Sequence, residues 1–124
     1  MDEEAKQYAE KARNSYHAAL ILRKQGLAVD AFSRAYYSAF NACRAIMLNR
    51  GLPLSKTHSG MVARLWENRA ELGLDAKLVR NLSRYQTLRE GGDYAPLEDV
   101  REEDLAEILA DIKKLFALLG ETLG

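Results

Sequence analysis

The segment from Val29 to Asn49 constrains the fold more than any other part of the sequence. Wound as a helix, this segment is apolar around most of its circumference, and a helix of that kind is normally buried by several neighbours. Its apolar positions are Ala31, Phe32, Ala35, Tyr36, Ala39, Phe40, Ala42, Cys43, Ile46 and Met47. We therefore expect a central helix that other parts of the chain surround.

The rest of the chain supplies further helices and shows no β-type alternation of apolar and polar residues. Glycines and prolines separate segments in which apolar residues recur at helical spacing. Together with the central helix, they predict an all-α, up-and-down antiparallel helical bundle of four long helices and one short one, in a single domain over residues 1–124. The predicted segments run from about Glu3 to Gln25, from Thr57 or Ser59 to about Glu71, from the N-cap Asp75 to about Glu90 or beyond, and from Glu102 to Gly120.

Composition narrows the classes of function. Lys and Arg together balance Asp and Glu at 18 each, which argues against non-specific adhesion to nucleic acid but leaves room for a local basic groove. The single cysteine, Cys43, is predicted to be a buried free thiol, which fits a reducing cytoplasm. No signal sequence or membrane-spanning run is evident, so we expect a cytoplasmic protein. One cysteine and two distant histidines do not form a zinc site, and we expect no metal or cofactor.

Arg89 occupies an unusual place in the fourth predicted helix. At about 100° per residue, it falls on the same face as Leu78, Leu82 and Tyr85. It should therefore enter the apolar face or the edge of a cleft in that face. Because an unpaired buried charge costs several kcal/mol, the guanidinium needs a partner. Asp93, four residues further on, is the expected one.

Two interpretations of this corner remain open. In the first, the Arg89–Asp93 pair only fixes the last turn of the helix against the bundle. In the second, Arg89 clamps a phosphate in a bidentate fork, Asp93 orients it, and Tyr94 offers a hydroxyl or a stacking face. Gly91 and Gly92 either end the helix here or let another backbone or a ligand approach closely.

The central helix carries one narrow polar stripe. Arg34, Tyr37, Asn41 and Arg44 follow one another at spacings of three, four and three, so they share a face. The stripe is either a solvated edge or dimer contact, or else the wall of a polar groove.

The loop before the third helix contains a second candidate site. Lys56 and His58 lie at the predicted helix start, where backbone N–H groups, a lysine and small residues could hold an anion. The alternative is an ordinary N-cap turn with Thr57 or Ser59 as the cap. The other histidine, His17, is expected at the surface or an edge.

Several of these segments resemble the HEPN domain family, and its small stand-alone prokaryotic subgroup in particular. The resemblance spans nearly the whole chain. It implies a helical bundle that commonly dimerises. It also implies one of several roles, which are metal-independent endoribonuclease, toxin paired with a minimal nucleotidyltransferase, or binder of nucleotide, RNA or protein without catalysis. Its most specific elements are Ala35-Tyr36-Tyr37, Lys56-Thr57-His58 and the Arg-x-x-x-Asp-Tyr run from Arg89 to Tyr94.

The chain departs from the active members of that family at one position. Those members carry an arginine and then, after four to six residues, a histidine. Arg89 matches the arginine, but Tyr94 stands where the histidine would be, and no histidine follows His58. An ordinary tyrosine, with a pKa of about 10, is a poor base at neutral pH. His58 would have to supply the missing imidazole, from the facing helix or from a second protomer.

The sequence thus favours a nucleotide- or RNA-associated module, and it leaves open whether catalysis has been lost. Its expected partners are a second copy in a homodimer and a minimal nucleotidyltransferase, in a toxin–antitoxin-like context. The first alternative is an active metal-independent endoribonuclease in which Arg89 acts with Asp93, Tyr94 or His58. The second is a non-catalytic interaction bundle. The residues predicted to bind nucleotide or RNA are Lys56, Arg34, Tyr37, Asn41 and Arg44.

Overall fold

The computed structural model of the chain describes residues 2–94 and 100–121, without the side chains of residues 91–94. This part of the chain contains helices and no strand, which confirms the all-α prediction. The helices are α1 (Glu3–Lys24), α2 (Ala28–Asn49), α3 (His58–Glu67), α4 (Arg69–Leu72), α5 (Ala76–Tyr94) and α6 (Glu102–Leu118).

The four long helices, α1, α2, α5 and α6, match the predicted segments closely, whereas the third predicted helix is divided. Its first part, α3, ends at Glu67, and the single-turn helix α4 follows after Asn68. The Asn68 side chain donates from Nδ2 to the carbonyl of Arg64 at 2.9 Å, which occupies an acceptor in the last turn of α3.

Both predicted caps are present, since Thr57 Oγ1 accepts from the Gly60 N–H at 3.0 Å and Asp75 Oδ1 accepts from the Leu78 N–H at 2.7 Å.

Helix α2 is the central helix of the bundle, as its apolar circumference predicts. It packs against α1, α5 and α6, and its apolar residues form the middle of the core. A three-residue connection makes α1 and α2 an antiparallel pair. The buried Ser38 hydroxyl ties the pair together by donating to the carbonyl of Ala12 at 2.7 Å. Cys43 is a buried free thiol, as predicted, and burial raises its pKa to about 12.

The core also holds a buried carboxylate that the sequence did not reveal. Asp111 on α6 is 4% exposed and accepts from the buried Tyr85 hydroxyl and from Asn81 Nδ2 at 3.0 Å. The Lys114 ammonium lies 3.6 Å from its other oxygen. Burial is the main cause, and the bond to Asp111 the next, of a Tyr85 pKa well above the ordinary value, so the phenol stays a donor. The cluster joins α5 to α6.

Within residues 2–94 and 100–121, no helix is both long enough and apolar enough to cross a membrane.

We predict that Asp111→Ala lowers the free energy of unfolding by about 2 kcal/mol or more, because it leaves the buried Tyr85 hydroxyl and the Asn81 amide without their acceptor. Urea denaturation measures the change. The control is Glu103→Ala, which removes a carboxylate 75% exposed on the same helix and should change stability by less than about 0.5 kcal/mol. Equal losses in the two variants would contradict a structural role for the buried cluster.

Candidate functional site

Arg89 lies half-buried at the edge of the bundle, above two tyrosines of α2. Its guanidinium carbon is 5.2 Å from the ring centroid of Tyr36 and 4.7 Å from that of Tyr37. It also donates to the Tyr37 hydroxyl at 2.7 Å and to the Ser33 hydroxyl at 3.4 Å. Aromatic faces and neutral hydroxyls thus hold the cation, while its position at the edge keeps it within reach of solvent. This position agrees with the expectation that Arg89 enters the edge of a cleft.

His58, the first residue of α3, lies against the opposite part of the same cluster. Its ring stacks on Tyr36 with centroids 5.3 Å apart and planes 14° from parallel. It meets Phe40 edge-on at a centroid distance of 4.4 Å. The His58 Nδ1 and the Tyr36 hydroxyl form a short hydrogen bond. One tyrosine ring therefore contacts both the motif arginine and the histidine that sequence reasoning proposed as its companion.

Electrostatics keep both polar members of this contact neutral. Burial raises the pKa of the Tyr36 hydroxyl well above its ordinary value, so it remains an O–H donor. Burial, and then the positive charges of Arg44 and Arg89, lower the pKa of His58 below its ordinary 6.5, against an opposite effect of Glu90. The imidazole is therefore uncharged at neutral pH.

An open groove of about 790 Å³ runs between α1 and α2, with Arg89 at its edge. Three of the side chains that line it are cationic, Lys11, Arg34 and Arg89, and one is acidic, Asp30. The described wall is thus positive although the whole chain has no net charge. Tyr37 lines this groove and is 40% exposed, so its ring is accessible to a ligand. The remaining lining residues are Asn14, Ser15, Leu22, Ser33 and Asn41.

The structure brings most of the predicted binding residues together. Arg34, Tyr37 and Asn41 line the groove. Arg44 continues the stripe by donating to Asn41 Oδ1 at 2.9 Å. Lys56 does not line this groove. It is exposed on the loop before α3, which leaves its assignment a prediction.

For two of the predicted catalytic residues, Asp93 and Tyr94, the structure describes the backbone alone. The backbone of Asp93 and Tyr94 belongs to the last turn of α5, so Gly91 and Gly92 do not end the helix. The side chains of both residues lie outside the described part of the chain, and so does the predicted Arg89–Asp93 pair. His17 is exposed, as expected.

Sequence reasoning missed two parts of the site. Lys11, Asn14 and Ser15 form the α1 wall of the groove, and their spacing of three and four residues is a signal that could have identified a polar face. Tyr36 was assigned to the apolar core and to the family motif alone. Nothing in its spacing indicates that its hydroxyl bonds His58, because that contact joins residues of different helices.

Nothing in the described residues forms a metal site, because no three His, Cys, Asp or Glu side chains converge to hold an ion. The arrangement instead offers guanidinium, hydroxyl, amide and imidazole groups along an open groove.

Comparison with known proteins identifies the fold that carries this site. The family model described as "HEPN domain" matches residues 5–122. The chain belongs to the HEPN domain family. The resemblance noted from the Arg89 motif and the α2 segment is thereby confirmed, and the helical bundle is the one that this family membership predicts.

Three relatives extend the comparison, each named only as a UPF0332 protein. The one from Archaeoglobus fulgidus is 40% identical over 88 residues, which cover 71% of this chain and 70% of that protein. The one from Gloeobacter violaceus is 32% identical over 110 residues, covering 88% and 86%. The one from Thermotoga maritima is 31% identical over 98 residues, covering 78% and 74%. These names specify no activity.

The depressed pKa of His58 predicts how stability depends on pH. The unfolded chain holds this histidine near the ordinary value of about 6.5. Its contribution to stability is therefore present above that pH and is lost as the pH falls through the lower folded pKa. Urea midpoints measured from pH about 7.5 down to about 5 should fall less steeply for His58→Gln than for the wild type. Parallel pH profiles would contradict the assignment.

Proposed function

We propose that this chain binds RNA, or the phosphate groups of a nucleotide, in the groove between α1 and α2. The observation that carries the proposal is the position of Arg89, a half-exposed guanidinium held by Tyr36 and Tyr37 at the edge of a positive groove. Guanidinium groups bind phosphate in a two-pronged geometry, and contacts with Tyr36, Tyr37 and Ser33 orient this one at the edge of the groove.

The other side chains of the groove favour a nucleotide as the ligand, in preference to a simple inorganic anion. Exposed aromatic rings in basic grooves stack with unpaired bases, and Tyr37 is such a ring. Asn14 and Asn41 carry amides that can pair with the edges of a base. Lys11 and Arg34 supply charge for a backbone that passes along the groove.

The family resemblance supplies the biological setting of this proposal. We propose on that basis that the chain forms a homodimer and acts with a minimal nucleotidyltransferase, in a toxin–antitoxin-like context. A nucleotidyltransferase reading frame beside the gene would identify the partner to co-purify with this chain.

A second candidate function is a metal-independent endoribonuclease. The observation that favours it is the contact of His58 with Tyr36, the ring that Arg89 also contacts, which brings an imidazole close to the motif arginine within one protomer. Cleavage without a metal needs one group to take the 2′-hydroxyl proton and another to protonate the leaving oxygen. His58 supplies at most one of these two groups.

We predict that Arg89→Ala weakens binding of a fluorescent single-stranded RNA about tenfold or more, because hydrogen bonds to charged groups contribute about 1.5–3 kcal/mol. Fluorescence polarisation in EDTA gives the affinity. The matched control is Arg80→Ala, which removes the same charge from an exposed site on the same helix and should cost about twofold at most. Equal affinities of the wild type and Arg89→Ala would contradict the proposal, provided that thermal melting shows both to be folded.

We further predict that the wild-type protein leaves the same RNA intact in EDTA, because the histidine of the active motif is absent. Denaturing gels of long incubations at high protein concentration test this. Cleavage that survives chelation and disappears in Arg89→Ala would establish the endoribonuclease instead. Absence of both binding and cleavage would leave the interaction bundle as the remaining interpretation.

A further inference from the structure

We infer that Tyr36 is a positioning residue that holds His58 as a neutral imidazole protonated on Nε2, so that the ring serves the site as a hydrogen-bond donor to phosphate and not as a base. This inference rests on the proposed function and specifies how one side chain of that site contributes. It assigns a role to Tyr36, which lies 1% exposed beneath both Arg89 and His58.

The direction of the Tyr36–His58 hydrogen bond decides which nitrogen carries the proton. A buried hydroxyl that donates no hydrogen bond loses free energy, and the described acceptor for the Tyr36 O–H is His58 Nδ1. If Nδ1 instead carried the proton and donated it, the phenol hydrogen would need another acceptor, and the neighbouring rings that the structure describes, those of Tyr37, Phe40 and His58, offer none. The favoured arrangement has Tyr36 donating to a bare Nδ1, which places the imidazole proton on Nε2.

The surroundings of His58 keep the ring in this uncharged form. Phe40 meets it edge-on and Tyr36 stacks on its face, so two aromatic contacts replace water. Among the described residues, the charged groups that act on it are Arg44 on α2 and Arg89 and Glu90 on α5. The two cations oppose protonation of the ring, and the Glu90 carboxylate on the exposed side of α5 favours it.

His58 does not itself line the groove, but it contacts the same Tyr36 ring as Arg89, which stands at the groove edge. An uncharged Nε2–H there suits a phosphate bound to Arg89. The cations supply charge, and the imidazole adds a directed donor whose hydrogen bond does not require the ring to titrate. The same state is unsuited to general-base catalysis, because the nitrogen away from Tyr36 already holds its proton. The geometry therefore favours binding over cleavage as the role of His58.

The tautomer can be observed directly in the ligand-free protein. Long-range ¹H–¹⁵N spectra of the histidine rings should show His58 at neutral pH with the proton on Nε2. Tyr36→Phe keeps the ring and removes the donor. Because a donor on Nδ1 stabilises the neutral form, the variant should mix the two tautomers and raise the pKa of His58 by about half to one unit. Tyr16→Phe, the same change at a buried tyrosine of α1, should leave the His58 signals unchanged. A proton on Nδ1 in the wild type, or no response to Tyr36→Phe, would overturn the inference.

Measurements of RNA affinity distinguish a role of His58 as hydrogen-bond donor from a role as general base. A glutamine side chain can present an uncharged N–H near the position of Nε2, so His58→Gln should bind the fluorescent single-stranded RNA within about threefold of wild type. His58→Ala should lose about tenfold, as expected for one hydrogen bond to a charged group. Equal losses in the two variants would overturn the donor role. If the wild type binds no RNA, the proposed function fails and the donor role fails with it, while the spectra still decide the role of Tyr36.

Discussion

The site depends on one aromatic ring, that of Tyr36, which is held in the core yet contacted by two polar side chains from other helices. Its burial comes from α2, which is apolar around most of its circumference and is covered by α1, α5 and α6. Arg89 of α5 and His58 of α3 then meet at that ring. The ring gives the half-exposed arginine a fixed surface, which reduces the side-chain entropy that it loses when it binds a ligand.

Much of the fold was predictable because helical periodicity is a local property of sequence. The central helix follows from the apolar circumference of residues 29–49, and the caps at Thr57 and Asp75 follow from residue types that accept hydrogen bonds from helix N-termini. The break between α3 and α4 was not predicted, because Asn68 bonds the carbonyl of Arg64 by a side-chain contact that has no periodic signal.

The candidate site was predictable only in part. The spacing of Arg34, Tyr37 and Asn41 identified one wall of the groove, since side chains three and four residues apart on a helix must share a face. The contacts of Arg89 with Tyr37 and of His58 with Tyr36 join residues 52 and 22 positions apart in sequence. Such contacts depend on how helices are packed, which a single sequence does not encode in any short pattern. The buried Asp111 escaped prediction for the same reason.

The most direct test of this account is an NMR titration of the protein with a short single-stranded RNA in EDTA, following the side-chain N–H signals of the arginines and asparagines. The account predicts that the Arg89 Nε–H signal and the Asn14 and Asn41 amide signals move together and saturate at one concentration. Arg80 should be unaffected. Saturable shifts confined to other parts of the chain, with Arg89 unmoved, would contradict the claim that the groove between α1 and α2 is the binding site.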